Sequence, residues 1–333
     1  MEECSLRVKK RSEFEVSEIR RCAIIFGGSG FIGLHLAEEL ESCDYEVVIA
    51  DLIPPNSGVF KFLSCDVRNP IDIKLDSPPD IVFNLAAVHR TPGHSPAEYY
   101  ETNVKGALNV TRWATENCVK KILFTSSISV YGPNENLIDE NATPSPINDY
   151  GKSKLIAEDI HRDWQSADSH NRSVLICRPA VVFGSGENGN FTRLARALKG
   201  HYFFYPSGRE TRKASGYVKD ATRSFMFFAE RNLPEITYNF CFPRNYTIGE
   251  ICDVFCRLGN YSKPPSLRIA RFAKFLSKLH GPLGILGQRL IKLVLSTNVM
   301  PARLIEYGFN WNYDLNIALD DWYKQTKFDQ YLN

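Results

Sequence analysis

The sequence has no run of 18 uncharged apolar residues, so a membrane-spanning helix is not expected. It has no CxxC pair, and its nine cysteines are odd in number and scattered at 4, 22, 43, 65, 118, 177, 241, 252 and 256. That pattern argues against a disulfide framework or a zinc site, no metal is expected, and a reducing cytoplasm fits best. It has no strong charge excess: 40 Lys+Arg stand against 38 Asp+Glu, a net +2, which gives no global argument for a nucleic-acid partner. The first 20 residues, MEECSLRVKKRSEFEVSEIR, are charged throughout and read as a polar leader, not a secretory signal. Repeats and low-complexity tracts are missing too. What is present is an ordinary globular composition, 44% hydrophobic over 333 residues, which excludes a disordered chain. The length exceeds the roughly 250–300 residues at which a single core stops growing, so one large domain or two lobes are expected.

Short β-rich runs recur at Cys22–Phe26, Glu46–Ala50, Val59–Cys65, Ile81–Leu85, Lys121–Ser126, Ser173–Arg178 and Thr237–Cys241. Helix-like stretches such as Ile32–Glu41, Pro96–Cys118 and Tyr150–Trp164 lie between most of them. Strands alternating with helices predict an α/β fold, a doubly wound parallel sheet covered on both faces. The stretch Phe183–Gly200 breaks the rhythm with a Gly-rich loop after a strand, a position where such sheets bind ligands. Beyond Pro243 the pattern turns mixed, which predicts a smaller C-terminal lobe.

Gly27, Gly30 and Gly33 form GxxGxxG directly after the first strand and open a helix through Phe31 and Ile32. Glycine permits the tight turn and the close approach of backbone to a pyrophosphate. The helix amino terminus supplies free N–H groups and a positive dipole end. Asp51 ends the second strand about 18 residues past Gly33, as a dinucleotide site requires. A carboxylate there accepts from both ribose hydroxyls and repels a 2′-phosphate, so NAD is favoured over NADP. Asp66 and Val67 close the third strand, where a carboxylate can meet an adenine amino group. Leu85, Ala86 and Ala87 close the fourth, where small residues let backbone lie against a cofactor. Without the glycine loop, both are ordinary strand ends.

Tyr150 and Lys154 stand four apart at the start of a helix that Asn148 or Asp149 can cap, which puts both on one face. A free tyrosine titrates near 10; lowering that by roughly three units takes about 4 kcal/mol of differential stabilisation, supplied by a nearby ammonium and a nicotinamide charge. The fifth strand ends Thr125-Ser126-Ser127-Ile128-Ser129-Val130-Tyr131-Gly132, where a serine hydroxyl can meet a reacting oxygen.

Together these residues resemble the extended short-chain dehydrogenase/reductases, specifically the NAD-dependent epimerase/dehydratase group that acts on nucleotide sugars and includes UDP-galactose 4-epimerase. The motifs are GGSGFIG, Asp51, NLAA, the Tyr-x-x-x-Asn run ending at Asn103, TSSISVYG, YGKSK and Gly-Tyr-Val-Lys-Asp at 216–220. They cover nearly the whole chain from about Arg21. The resemblance implies a Rossmann-type domain at 21–183, with 214–241 returning to it, and a nucleotide-sugar lobe at 184–213 and 242–333. It implies catalysis by Ser127, Tyr150 and Lys154, with Tyr150, Lys154 and Asn103 also in the NAD site. Sugar 4,6-dehydratases carry an Asp-Glu pair where Ile128 and Ser129 stand, and GDP-fucose synthases a Cys in place of Ser129, so neither chemistry is expected. What remains is a C4 epimerase, with Tyr150 as base, or an NAD(P)H-dependent keto-reductase; a non-catalytic dinucleotide-binding scaffold has no need of the intact triad. For the substrate, the resemblance points to His89, Ser127, Ser129 and Asn190. It also points to Lys213, seven residues before Asp220 where relatives place Arg, with Arg212 adjacent. His89 with Arg90 and the Thr211–Lys213 run read equally as solvent-facing groups. The resemblance further implies a homodimer formed by helices within 96–118 and 150–165.

From Arg257 to Arg303 the chain carries nine Lys/Arg and no acidic residue, interleaved with Leu, Ile and Phe. Such a segment lies on an anionic membrane surface or faces acidic ligands; a solvated helical face packed on the lobe is the favoured reading.

Overall fold

The computed structural model describes residues 20–56, 58–89, 93–267, 275, 284, 287 and 294–328. Its centre is a seven-stranded parallel sheet of β1 (Arg21–Phe26), β2 (Tyr45–Asp51), β3 (Lys61–Ser64), β4 (Ile81–Asn84), β5 (Lys121–Thr125), β7 (Ser173–Pro179) and β11 (Glu235–Phe240). The order is β11-β7-β5-β4-β1-β2-β3, so the winding reverses between β1 and β4. The crevice outside the strands' carboxyl ends at such a switch point is where doubly wound sheets hold ligands. Central strands are apolar throughout because helices cover both faces; every residue of β4 is buried. On one face α1 (Phe31–Ser42) and α6 (Val218–Ala229) pack over Ile25, Ile49 and Phe83. On the other, α3 (Gly106–Glu116) and α4 (Asp149–Ser166) cover Ile24, Phe26 and Val82 with Trp113 and Trp164.

The helix expected across 96–118 is not continuous. A short helix α2 (Pro96–Tyr99), with a capping box between Ser95 and Glu98, passes through a π turn at Tyr100–Lys105 into α3. Such an added residue re-aims side chains, and here Asn103 is buried.

A second core surrounds Phe183, Phe191, Phe255 and Trp322, formed by β8 (Val181–Phe183), α5 (Asn190–Lys199), α7 (Ile248–Gly259) and α9 (Leu315–Thr326); α8 (Ala302–Glu306) precedes α9. β10 (Ser215–Tyr217) pairs with β8. A mixed four-stranded sheet, ordered β12-β9-β13-β6, combines β12 (Tyr246–Thr247), β9 (Arg212–Lys213), β13 (Thr297–Val299) and β6 (Asn134–Ile138). β6 thus leaves the range expected for the Rossmann domain and joins the C-terminal region. Its polar sequence NENLI carries little strand signal; the partner strand, some 160 residues away in sequence, completes its ladder.

Candidate active site

The glycine loop is fixed by contact distances. Gly27 has φ +76°, and a Cβ there would lie 2.6 Å from the Ala86 nitrogen. A Cβ on Gly33 would lie 2.5 Å from the Gly28 carbonyl, so Gly33 lets α1 close onto the loop. Gly30 differs: only the Gly27 carbonyl, at 3.3 Å, falls within reach of a Cβ. Space is therefore open in front of the α1 amino terminus, which no side chain caps. Phe31 and Ile32 begin that helix. Beside it, the Asp51 carboxylate accepts from the Ser29 amide at 3.0 Å and the Leu52 amide at 2.7 Å. Burial pushes Asp51 up, against the pull of these backbone N–H groups. The Ser29 hydroxyl is buried without a partner, an unusual state for a polar group. Open space before an uncapped helix start, a carboxylate at the end of β2 and an orphan hydroxyl fit a dinucleotide.

Around this loop, Leu85 donates its amide to the Phe26 carbonyl at 2.9 Å, and the Ala86 backbone abuts Gly27; Ala87 follows. The Val67 side chain packs on Gly106, and its carbonyl accepts from Asn109 at 2.8 Å. The Asp66 carboxylate is engaged by Arg68, at 2.9 Å from Nε and 2.8 Å from Nη2, which holds it below the usual range. Asn103 spends its amide on protein: Oδ1 accepts from the Val88 amide at 2.9 Å, and Nδ2 donates to the Val88 carbonyl at 3.1 Å and to Ser153 at 2.9 Å. It braces the β4 exit against α4.

Asn148 caps α4, accepting from the Gly151 amide at 2.9 Å. A Cβ on Gly151 would lie 2.5 Å from the Ser129 carbonyl, so glycine at 151 lets the helix start press onto the Ser127–Val130 turn. The Tyr150 ring lies 6.1 Å from that of Tyr99, and its phenol stands near enough to the Ser127 side chain to be drawn down by it. Ser127 Oγ also accepts from the Ser129 amide and donates to Ser129 Oγ, both at 3.1 Å. Lys154 is 2% exposed; its ammonium donates to the Thr125 carbonyl at 2.7 Å and lies 4.7 Å from the Phe124 ring centroid.

The electrostatics differ from expectation. Burial pushes the Tyr150 phenol up, and neighbouring Tyr99 adds to this; only the Ser127 side chain pulls it down. Burial also pushes Lys154 down to about 7, with Glu158 opposing. The expected pull of Lys154 on the phenol is not established by the chain alone, because the ammonium is itself desolvated and engaged by Thr125.

The substrate candidates scatter. His89 is exposed beyond β4; its neighbour Arg90 lies outside the described residues. Asn190 opens α5, exposed, and accepts from Arg193 at 2.7 Å. Arg212 and Lys213 separate because successive strand residues point to opposite faces. Arg212 donates to the Asn245 carbonyl at 3.2 Å and, with Arg209, Arg244 and Glu250, lines an open cavity of about 320 Å³. Lys213 turns inward to the Leu295 carbonyl, where burial, opposed by Glu135, brings it down to about 8. Residues 268–274, 276–283, 285–286 and 288–293 of the basic 257–303 segment lie outside the described residues. Among the described residues no cluster of His, Cys, Asp or Glu suits a metal ion, and no helix is long and apolar enough to cross a membrane.

Glu158, Arg178 and Tyr131 were not singled out from the sequence, yet they form a buried network directly behind Ser126. The available signals were a glutamate four residues past Lys154 on the buried helix face, and an arginine within the apolar run of β7.

The profile of the NAD dependent epimerase/dehydratase family matches residues 23–241. An N-acetyl-alpha-D-glucosaminyl-diphospho-ditrans,octacis-undecaprenol 4-epimerase of Escherichia coli O157:H7 is 36% identical over 199 residues, covering 59% of this chain and 59% of that protein. A UDP-arabinose 4-epimerase homologue of Arabidopsis thaliana is 30% identical over 224 residues, covering 61% of this chain and 49% of that one. The chain thus spans about half the length of the curated relatives it matches. Among solved structures, UDP-glucuronic acid 4-epimerase from Bacillus cereus in complex with UDP-glucuronic acid and NAD superposes with a TM-score of 0.70 at 18% identity, covering 91% of this chain and 98% of that one; this likeness shows the fold.

Proposed function

We propose, for a chain that belongs to the NAD dependent epimerase/dehydratase family, that it inverts the C4 carbinol of a diphosphate-linked sugar. The observation that carries this reading is the placing of the Tyr150 phenol beside the Ser127 side chain, at the carboxyl rim of the parallel sheet that also bears the open Gly30 loop. Bound NAD supplies a hydride acceptor and, after the keto-sugar turns over, the hydride donor. Tyr150 takes the proton from the C4 hydroxyl and later returns it. Ser127 donates to the same oxygen and holds the phenol in line. Lys154 swings from Thr125 toward the ribose hydroxyls, bringing its charge to the phenol. Asp51 holds the adenosine ribose, and the amides at Phe31 and Ile32 hold the pyrophosphate. Asp66, Val67, Leu85, Ala86 and Ala87 line the adenine and nicotinamide walls, and Asn103 keeps that wall against α4. Ile128 and Ser129 offer no acid or base for elimination, which favours epimerase over dehydratase. Asn190 and Lys213 would meet the diphosphate; Arg212 faces the other way.

Tyr150→Phe is expected to lower kcat by about 10²–10⁴-fold while the protein still binds NAD. Isomerisation needs no added nicotinamide, so a panel of UDP-sugars incubated with and without NAD(H), with products resolved by NMR, tests the reading. Stoichiometric consumption of NAD(P)H would mark a keto-reductase instead.

A second reading concerns the carrier. The E. coli relative is named for a sugar on undecaprenyl diphosphate, and this chain has its acid-free 257–303 segment with nine Lys/Arg, suited to an anionic membrane surface. A polyprenyl diphosphate then replaces the nucleoside diphosphate. Turnover of a lipid-linked sugar with none of any UDP-sugar, together with co-sedimentation on phosphatidylglycerol vesicles, would select this carrier; the reverse pattern would select the nucleotide.

A further inference from the structure

Behind the serine turn lies a charged network that the reaction as proposed does not use. Glu158 sits on α4 one turn past Lys154 and is fully buried. One carboxylate oxygen accepts from Ser126 Oγ and, at 2.8 Å, from Arg178 Nε. The other accepts from Arg178 Nη2 at 2.6 Å and Arg162 Nη2 at 3.1 Å. Arg178, at the carboxyl end of β7, also donates to the Tyr131 hydroxyl at 2.7 Å, and Tyr131 donates to Asn239 on β11 at 3.0 Å. Ser126 precedes Ser127, and Tyr131 ends the turn that Ser127 begins. The network therefore grips that turn at both ends. A buried ion pair is often no more stabilising than apolar residues of the same size, so its presence here calls for a role beyond stability.

We propose that Glu158 is a positioning residue for the Ser127–Tyr150–Lys154 set: its carboxylate ties the Ser126–Ser127 corner to helix α4 and stands as the anion one helical turn behind the Lys154 ammonium. The inference rests on the epimerase reading for its use and for its kcat arms, while the lysine titration tests it apart from that reading. The groups facing Lys154 and the corner are Tyr150, Glu158 and His161 from α4, the Phe124 ring and Thr125 carbonyl from β5, Arg178 from β7, and Tyr99 from α2 through Tyr150. His161 stays neutral, held down to about 4 by burial. Glu158 is the one carboxylate among the described residues whose charge supports the protonated lysine against desolvation. Removing it should let Lys154 lose its proton at lower pH.

The test uses the full chain, three variants of the network, and Lys154→Met for assignment. In Glu158→Gln, an NMR titration of the Lys154 side chain, assigned with Lys154→Met, should show its midpoint lowered by about one unit; the falling alkaline limb of kcat should move the same way, with KM little changed. Glu158→Leu with Arg178→Met removes both partners, so that no buried charge is stranded, and should lower the midpoint in the same direction but by less, because the opposing guanidinium leaves with the carboxylate. Ser126→Ala cuts the tether alone and should lower kcat several-fold while leaving the lysine midpoint in place. Folded Glu158 variants with the parent's lysine midpoint would overturn the proposal, as would a Ser126→Ala protein with parental kcat. Loss of the Glu158 variants to misfolding leaves Ser126→Ala decisive. Failure of the epimerase reading shows separately, as a parent protein that isomerises no sugar although its lysine titration responds.

Discussion

At Gly27 the residue's missing side chain is the whole of its function. The positive φ and the 2.6 Å approach of Ala86 mean that no larger residue fits without moving the β4 exit. Gly27→Ala is expected to cost at least about 2 kcal/mol, from left-handed strain with a backbone overlap added, and to abolish NAD binding; denaturant unfolding and NAD titration check both. Tyr150 and Lys154 teach a different lesson at the same scale. Their spacing was legible, and their shared helix face follows from it, but burial drives the phenol up and the ammonium down to about 7. Neither ionised state is favoured until an opposite or delivered charge arrives, so the reactive state belongs to the loaded site.

Among the elements, α4 carries the proposed Tyr150–Lys154 pair and also an acid-sensitive group, His161. His161 is fully buried, stacked 4.2 Å from the Phe124 ring; its Nδ1 donates to the Ala157 carbonyl at 2.6 Å and its Nε2 accepts from Asn84 at 3.2 Å. Burial lowers it from 6.5 to about 4. Because the unfolded chain binds the proton first, this histidine's contribution is intact above pH 6.5 and is lost as pH falls toward 4, by about 3 kcal/mol. Unfolding free energies measured across that window should fall less steeply in His161→Gln than in the parent. The π turn before α3 is the other informative element. The apolar period of 96–118 announces a helix, and nothing in it announces the extra residue that points Asn103 at Val88 and Ser153.

For the whole molecule, helix α3 and helix α4 leave Leu108 48% and Ile156 40% exposed, on the pair through which the resemblance expects two copies to associate. Burying such side chains is worth about 1.5–3 kcal/mol each, and a charge in their place opposes contact. Leu108→Glu with Ile156→Glu is expected to turn a dimer into a monomer without unfolding it, read by analytical ultracentrifugation and circular dichroism. The four-stranded sheet makes a second point at this scale. Through it β6, which follows the serine turn, is tied to β9 and β13, so the Ser127 turn and the inward-facing Lys213 share one framework.

The sequence alone determined the alternating βαβ architecture, the glycine loop with Asp51, and the Tyr150–Lys154 pair. Each rests on spacing along a single element, and periods of two and 3.6 residues are local. Tertiary structure decided what depends on partners distant in the chain. It engaged Asn103 with Val88, turned Arg212 and Lys213 to opposite faces, paired polar β6 with β13, and set Glu158 against Arg178 behind Ser126. Burial and the direction of a titration depend on everything that surrounds a group, and a one-dimensional pattern does not carry those surroundings.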